Sequence, residues 1–167
     1  VTNIDRIKRA EEALSEQRNL LRLITDHSDD RIFALDRDLR LLFINPAAER
    51  SIRETGTPLA RTRPDHRGMN STELFGDNPL ACQLRAADEQ VIASGMPLTS
   101  EETADTPVGR RYMLASRWPL RNNAGEISGL VGITRDITDR QNAEAERLRG
   151  LARQRDALMR EVHHRVK

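Results

Sequence analysis

The sequence predicts an α+β domain: a five-stranded antiparallel sheet with short helices, flanked by N- and C-terminal coiled-coil-like helices. Three observations carry this expectation. Two strand-like segments, "RIFALD" (31–36) and "LLFIN" (41–45), precede a helical middle, and three more follow it: "LTSEET" (98–103), "RRYMLASRWPL" (110–120) and "EISGLVGITRDI" (126–137). "NNAG" (122–125) between the last two is a hairpin signal. Both ends of the chain carry apolar residues at heptad-like spacing.

Taken in order, residues 4–24 read as a helix. Ile7, Leu14 and Leu21 are spaced by heptads, Ile4 and Ile24 extend the stripe, and "RAEEAL" (9–14) consists mostly of strong helix formers. Such a stripe packs either on its own domain or against a second helix in a dimer, and Glu11 and Arg18 fall at intervening positions of the second seam. "RIFALD" alternates apolar and polar residues, "RDLR" (37–40) supplies a polar turn, and "LLFIN" reads as a buried strand. "PAAERSI" (46–52) puts Pro at a helix start, where its missing N–H costs little. Residues 53–72 show no clear period and read as a loop with about one turn of helix. The pattern Leu80, Leu84, Ala87, Val91 marks a helix over 78–95, with Gly95 as its C-terminal cap. After the three strands the chain is helical from Thr138 to its end. Leu148, Leu151, Leu158 and Val162 form an a/d-like stripe interrupted by Arg155, and Gly150 weakens the helix locally by about 1 kcal/mol relative to Ala. "TDRQNAEAE" (138–146) faintly echoes "IDRIKRAEE" (4–12), as though the first helix left an upstream domain in the way the last one leaves this domain.

Composition sets bounds. The 167 residues fit one domain with extensions, and an aromatic share of 3% makes the core depend on Leu, Ile, Val and Ala. A charged share of 32% fits helices with large solvated faces. The net charge of +1 gives no overall field favouring nucleic acid or an anionic membrane. The basic stretch "RTRPDHR" (61–67) lacks interleaved aromatics, which argues further against nucleic acid. A single cysteine, Cys82, excludes an intramolecular disulfide and is compatible with a reducing compartment. No apolar run approaches the roughly 20 residues of a membrane span, and no signal-peptide pattern is present. With Val1 in place of an initiator Met, the chain reads as a soluble, cytoplasmic piece of a longer protein.

The middle of the chain resembles a PAS sensor domain over roughly residues 20–140. The resemblance rests on "IFALDRDLRLLFINPAAER" (32–50), "VIASGMPL" (91–98) and "GLVGITRDITDR" (129–140) with its Asp-Ile-Thr close. It implies the PAS fold, and it implies that the closing motif joins the last strand to a signalling helix. Asp136 then ties the strand end to a neighbouring group and Thr138 caps the helix; Thr is a good N-cap, and a carboxylate near a helix start is favoured by the dipole.

The closing stretch, Glu161, Val162, His163, His164, Arg165, Val166, Lys167, resembles the phosphoacceptor box of sensor histidine kinases of the HWE type and close relatives, up to an Asn that would follow Lys167. The resemblance implies that the second histidine, His164, receives the phosphate. A neutral imidazole nitrogen is a good nucleophile near pH 7 and attacks the γ-phosphate of ATP when held in line. Glu161, three residues earlier, shares a helix face with His164 and is a possible orienting partner for its other ring nitrogen. Arg165 or Lys167 is placed to offset phosphate charge. Where many histidine kinases place an acid directly after the histidine, this chain has Arg165, which suits the HWE-like class and leaves the proton acceptor open.

Other candidate sites are discounted. Cys82 lacks the flanking pattern of a flavin-adduct cysteine and is expected to be a small buried hydrophobe. The helix 78–95 has no His, which argues against an axial haem ligand, and the chain has no Gly-rich phosphate loop. Adjacent histidines lie about 100° apart on a helix, so His163 and His164 are poorly placed to chelate a metal together. No cofactor or metal is therefore expected in this stretch. His27 and His66 are expected to be solvated. Tyr112, Ser116 and Trp118 share one face of a central strand and either line a pocket or, by preference, pack in the core.

The sequence thus divides into an N-terminal linker or signalling helix (1–24), a PAS sensor domain (25–138), a C-terminal signalling helix (139–157) and the start of a dimerisation and phosphoacceptor helix (158–167). The expected function is the sensory and linker region of a two-component sensor histidine kinase, cut within its phosphoacceptor helix. It is expected to form a homodimer through the flanking helices. ATP, Mg and a response regulator belong to the full-length protein, and a small-molecule signal is left open. The alternative is a non-enzymatic PAS interaction module feeding a cyclase or chemoreceptor.

Overall fold

A computed structural model describes residues 2–166, so Lys167, the last residue of the expected phosphoacceptor box, lies outside the described residues. The elements run α1 (Asn3–Asp26), β1 (Arg31–Asp36), β2 (Leu41–Ile44), α2 (Pro46–Thr55), α3 (Pro58–Thr62), α4 (Ser71–Phe75), α5 (Pro79–Ser94), β3 (Leu98–Thr106), β4 (Gly109–Arg121), β5 (Ile127–Asp136) and α6 (Thr138–Val166). The five strands form one antiparallel sheet in the order β2-β1-β5-β4-β3. The chain's first and last strand pairs thus meet at the centre, where β1 pairs with β5.

One face of the sheet carries the core. Leu35, Leu41 and Leu130 pack there with Ile52, Ala60, Met69, Leu74 and Val91 from the helical layer. At the sheet centre Phe33 lies over Gly132, and a Cβ at that glycine would run into the Phe33 ring. This close approach is why a glycine interrupts an otherwise apolar strand.

Helix starts are set by side-chain caps. Asn45, Thr57, Asn70 and Asn78 each accept a backbone N–H of the helix that follows, and Pro stands in the first turn of α2, α3 and α5. Gly95 ends α5 in the left-handed region at φ 66°, as its expected capping role requires. Asn45 is 1% exposed and fully bonded. Its Oδ1 accepts Ile32 N–H and Ala48 N–H, and its Nδ2 donates to the carbonyls of Thr25 and Asp30. One side chain thereby fastens the end of α1, the start of β1 and the start of α2.

Several expectations need correction. Residues 53–72 are not a loop with one helical turn: α2 runs on to Thr55, and α3 and α4 follow. Five-residue helices are too short to show a period, and their only signals are the caps. The strand "LLFIN" is not buried throughout. A register shift between Ala34 and Leu35 leaves Leu42 unpaired, so Leu41 and Ile44 face inward while Phe43 turns outward beside Ala34. Tyr112, Ser116 and Trp118 do not pack in the core. The buried positions of β4 are the alternate set Met113, Ala115 and Arg117, and Trp118 is 40% exposed on the opposite face. Cys82 is exposed, because α5 turns its neighbour Ala81 inward with Asp88 and Val91. His66 is buried rather than solvated, and its Nε2–H donates to the Ala60 carbonyl at 2.7 Å, closing the loop after α3. His27 is exposed at the end of α1, as expected.

The terminal helices differ from the rest. α1 starts with a capping box between Thr2 and Asp5 and has no buried residue, and Thr138 is the one buried residue of α6. α6 continues through Gly150 without a break.

Candidate functional site

A cavity of about 830 Å³ lies between the inner face of the sheet and the helical layer. Its walls are apolar for most of their extent and include Phe33, Leu35, Ile44, Ile52, Leu74 and Met113. The size is that of sites which bury a small organic molecule. Among the charged residues of the lining, two groups are anchored on β4. Arg117 and Arg111 are six residues apart on that strand, about 20 Å at the strand rise.

The first group is a buried ionic trio. Arg117 lies between Asp88 of α5 and Glu102 of β3, with side-chain exposures of 0%, 6% and 3% respectively. Nε donates to Asp88 Oδ1 at 2.6 Å. Nη2 stands 2.6 Å from Glu102 Oε1, a close ion pair. Burial pushes the Asp88 carboxyl from 3.8 up to about 6, against the attraction of Arg117. Burial works against the Arg117 charge as well, but the two carboxylates outweigh it and hold the guanidinium above its ordinary value.

The trio was missed in the sequence. Arg117 stands in the inward alternation Met113, Ala115, Arg117, and that placement was its one local signal. Its partners lie 29 residues upstream on α5 and on the neighbouring strand, at separations that no local pattern reveals.

The second group lies where β5 passes into α6. Asp136 and Arg111 both line the cavity, with Arg111 Nη1 3.9 Å from Asp136 Oδ2. Asp136 Oδ1 accepts the Thr138 N–H at 2.9 Å, meeting one free amide of the helix start. Burial acts to raise the Asp136 pKa, but the Thr138 bonds and the charges of Arg111 and Arg31 outweigh it and hold the carboxyl below its ordinary range. The Thr138 hydroxyl accepts the Tyr112 N–H at 3.0 Å, and Ile137 N–H donates to the Tyr112 carbonyl. The root of α6 is therefore fastened to β4, one residue from a side chain that lines the cavity.

The two histidines stand in the last turns of α6, both exposed. His163 Nδ1 lies 3.1 Å from the Met159 carbonyl, and Glu161 Oε1 accepts from Arg165 Nη2 at 2.7 Å across one helical turn. Thus the structure brings Asp136 and Thr138 together at the cavity, and it places Glu161 and His164 at the far end of the same helix. Among the described residues, no group of His, Cys, Asp and Glu is arranged to hold a metal, and no helix is long and apolar enough to cross a membrane.

The family profile described as the PAS fold matches residues 25–142. Over 138 residues the chain is 33% identical to the methanogenesis regulatory histidine kinase FilI of Methanothrix harundinacea, covering 82% of this chain and 14% of FilI. A diguanylate cyclase of Vibrio cholerae is 28% identical over 137 residues, 80% of this chain and 40% of the cyclase. The solved PAS domain of Bordetella pertussis BvgS is similar in structure, with a TM-score of 0.57 and 25% identity over 85% of this chain and 98% of that one. The chain spans less than half the length of these two full-length relatives.

Proposed function

The chain belongs to the PAS fold family, and from that premise we propose that it is the cytoplasmic sensory and linker region of a two-component sensor histidine kinase in which His164 accepts the phosphate. The observation that carries this reading is the single helix α6. It starts at Thr138, two residues after the cavity-lining Asp136, and runs unbroken to the histidine pair. From Thr138 to His164 the helical rise covers about 40 Å. A change in the cavity that shifts Arg111 or Asp136 moves the root of α6, and a rigid helix carries that displacement to His164. The likeness to the regulatory kinase FilI supports the kinase output.

In this reading α1 and α6 pair with their counterparts in a parallel homodimer, which sets the rotation of His164 relative to an incoming nucleotide. The full-length protein supplies the ATP-binding domain, with Mg on the nucleotide. His164 attacks the γ-phosphorus with a neutral ring nitrogen, and its phosphate then passes to an aspartate of a response regulator. Glu161 orients the other ring nitrogen, for which it exchanges Arg165 for His164. The test is autophosphorylation of the full-length protein with labelled ATP. His164→Gln is expected to abolish an acid-labile, base-stable label, while His163→Gln retains it because its ring points to another helix face. An undiminished label in His164→Gln overturns the assignment.

The second reading, a non-enzymatic module feeding a cyclase, is favoured by the likeness to the Vibrio cholerae diguanylate cyclase. The residues that follow Lys167 discriminate. Asn, a second helix and an ATP-binding domain support the kinase, and a Gly-Gly-Asp-Glu-Phe motif supports the cyclase.

A further inference from the structure

We propose that the trio Asp88, Arg117 and Glu102 is the recognition end of the cavity and that it takes a small organic cation, an apolar body bearing a protonated nitrogen. The inference deepens the sensory reading of the same cavity and rests on it.

Charge balance is the first ground. Two carboxylates share one guanidinium where no side chain is more than 6% exposed. When all three are ionised, one negative charge is left over in a desolvated site. Such a charge calls for either a proton or a counter-cation. The wider lining has the same sign, with seven carboxylates facing four arginines, so the field inside the cavity favours cations over anions.

Hydrogen-bonding capacity is the second ground. Arg117 engages Oδ1 of Asp88 and Oε1 of Glu102, which leaves Oδ2 and Oε2 to accept from a donor-rich head group. The apolar body then lies against Phe33, Leu35 and Met113.

The test is a charge series of similar size measured by calorimetry on the purified 167-residue chain at pH 6.5, where both amines are mainly protonated: phenylalaninamide, phenethylamine, 3-phenylpropanamide and 3-phenylpropionate. The two cations, phenylalaninamide and phenethylamine, are expected to bind most tightly. The neutral amide is expected to bind at least ten-fold more weakly than phenylalaninamide, and the anion not at all. Asp88→Asn and, separately, Glu102→Gln are expected to weaken phenylalaninamide at least ten-fold and to leave the neutral amide unchanged. Equal binding of all four probes, preference for the anion, or no binding of any probe at millimolar concentration overturns the proposal. The series on the unaltered chain decides the matter even where a variant does not fold. Because binding is read without phosphotransfer, its failure is separate from a failure of the His164 assignment.

Discussion

Val91 and Leu130 in the core are 0% exposed, while Leu14 of α1 and Leu148 of α6 are 55% and 53% exposed. All four are apolar residues in regular secondary structure, and what separates them is whether the fold supplies an opposing surface. The sheet and its helical layer bury their own apolar face, and Asn45 satisfies the backbone groups where three elements meet. The terminal helices instead carry exposed stripes through Ile7, Leu14 and Leu21 and through Leu151, Leu158 and Val162. Heptad spacing of this kind fits a second helix better than it fits solvent. The core is therefore complete in one chain. In the proposed dimer, the helices are completed by their counterparts.

The largest effect expected from this contrast lies inside the core. Arg117→Met keeps the bulk of the side chain but removes the charge that separates Asp88 from Glu102. Two carboxylates then share a site with almost no water, and breaking a buried ion group of this kind costs about 3–5 kcal/mol. Urea unfolding should report that loss in the core transition. A loss below about 1 kcal/mol would break the view of the trio as integral to the core.

The next effect separates the trio's charge from its packing. The carboxyl of Asp88 lies at about 6 in the fold against its ordinary 3.8. Between these values the folded chain holds a proton that the unfolded chain has released. Stability from this group is fully present below pH 3.8, falls as pH rises toward 6, and stays lost above it, by about 3 kcal/mol in all. Asp65 and Asp136 have lowered values and act in the opposite sense at lower pH. The measurement is therefore the difference between the wild type and Asp88→Asn, taken by urea unfolding at steps from pH 4 to pH 7. That difference should change with the stated sign across the window, since Asn cannot take up the proton. A flat difference would show that Asp88 stays ionised in the fold.

How far these two regions were legible in the sequence follows from the same contrast. Four of the five strands were placed to within a residue because a period of two survives in "RIFALD" and because "NNAG" marks its hairpin, while β3 runs three residues beyond "LTSEET". The heptad stripes of α1 and α6 were legible for the same reason, since repeated spacing is a local property. The ionic trio was not legible. Arg117 is buried only because Asp88 and Glu102 meet it from two other elements, and a lone Arg next to Trp118 reads as a surface residue. His66 was misread for a similar reason, as its partner is the Ala60 carbonyl exposed by the end of a helix that had no visible period. Asp136 and Thr138 were found through a family resemblance, but the bond from Tyr112 to the Thr138 hydroxyl required the fold.

The smallest expected effect on the fold is also the one that most sharpens the contrast. Leu148 and Leu151 are about half exposed on α6, and Leu14 and Leu21 are exposed on α1. Replacing either pair by Lys removes apolar surface that no element of the same chain covers, so core stability should stay within about 0.5 kcal/mol of the wild type. If the stripes form the dimer seam, each copy loses two apolar contacts and gains two like charges facing its partner. The dimer should then dissociate at least ten-fold more readily, which corresponds to about 1.4 kcal/mol. Light scattering at micromolar concentration reads the association, and urea unfolding of the same samples reads the core. A wild-type chain that is monomeric throughout this range would remove the dimer from the proposal. A Leu148→Lys, Leu151→Lys chain that loses core stability would show instead that α6 packs on its own domain, and the distinction between the two regions would fail.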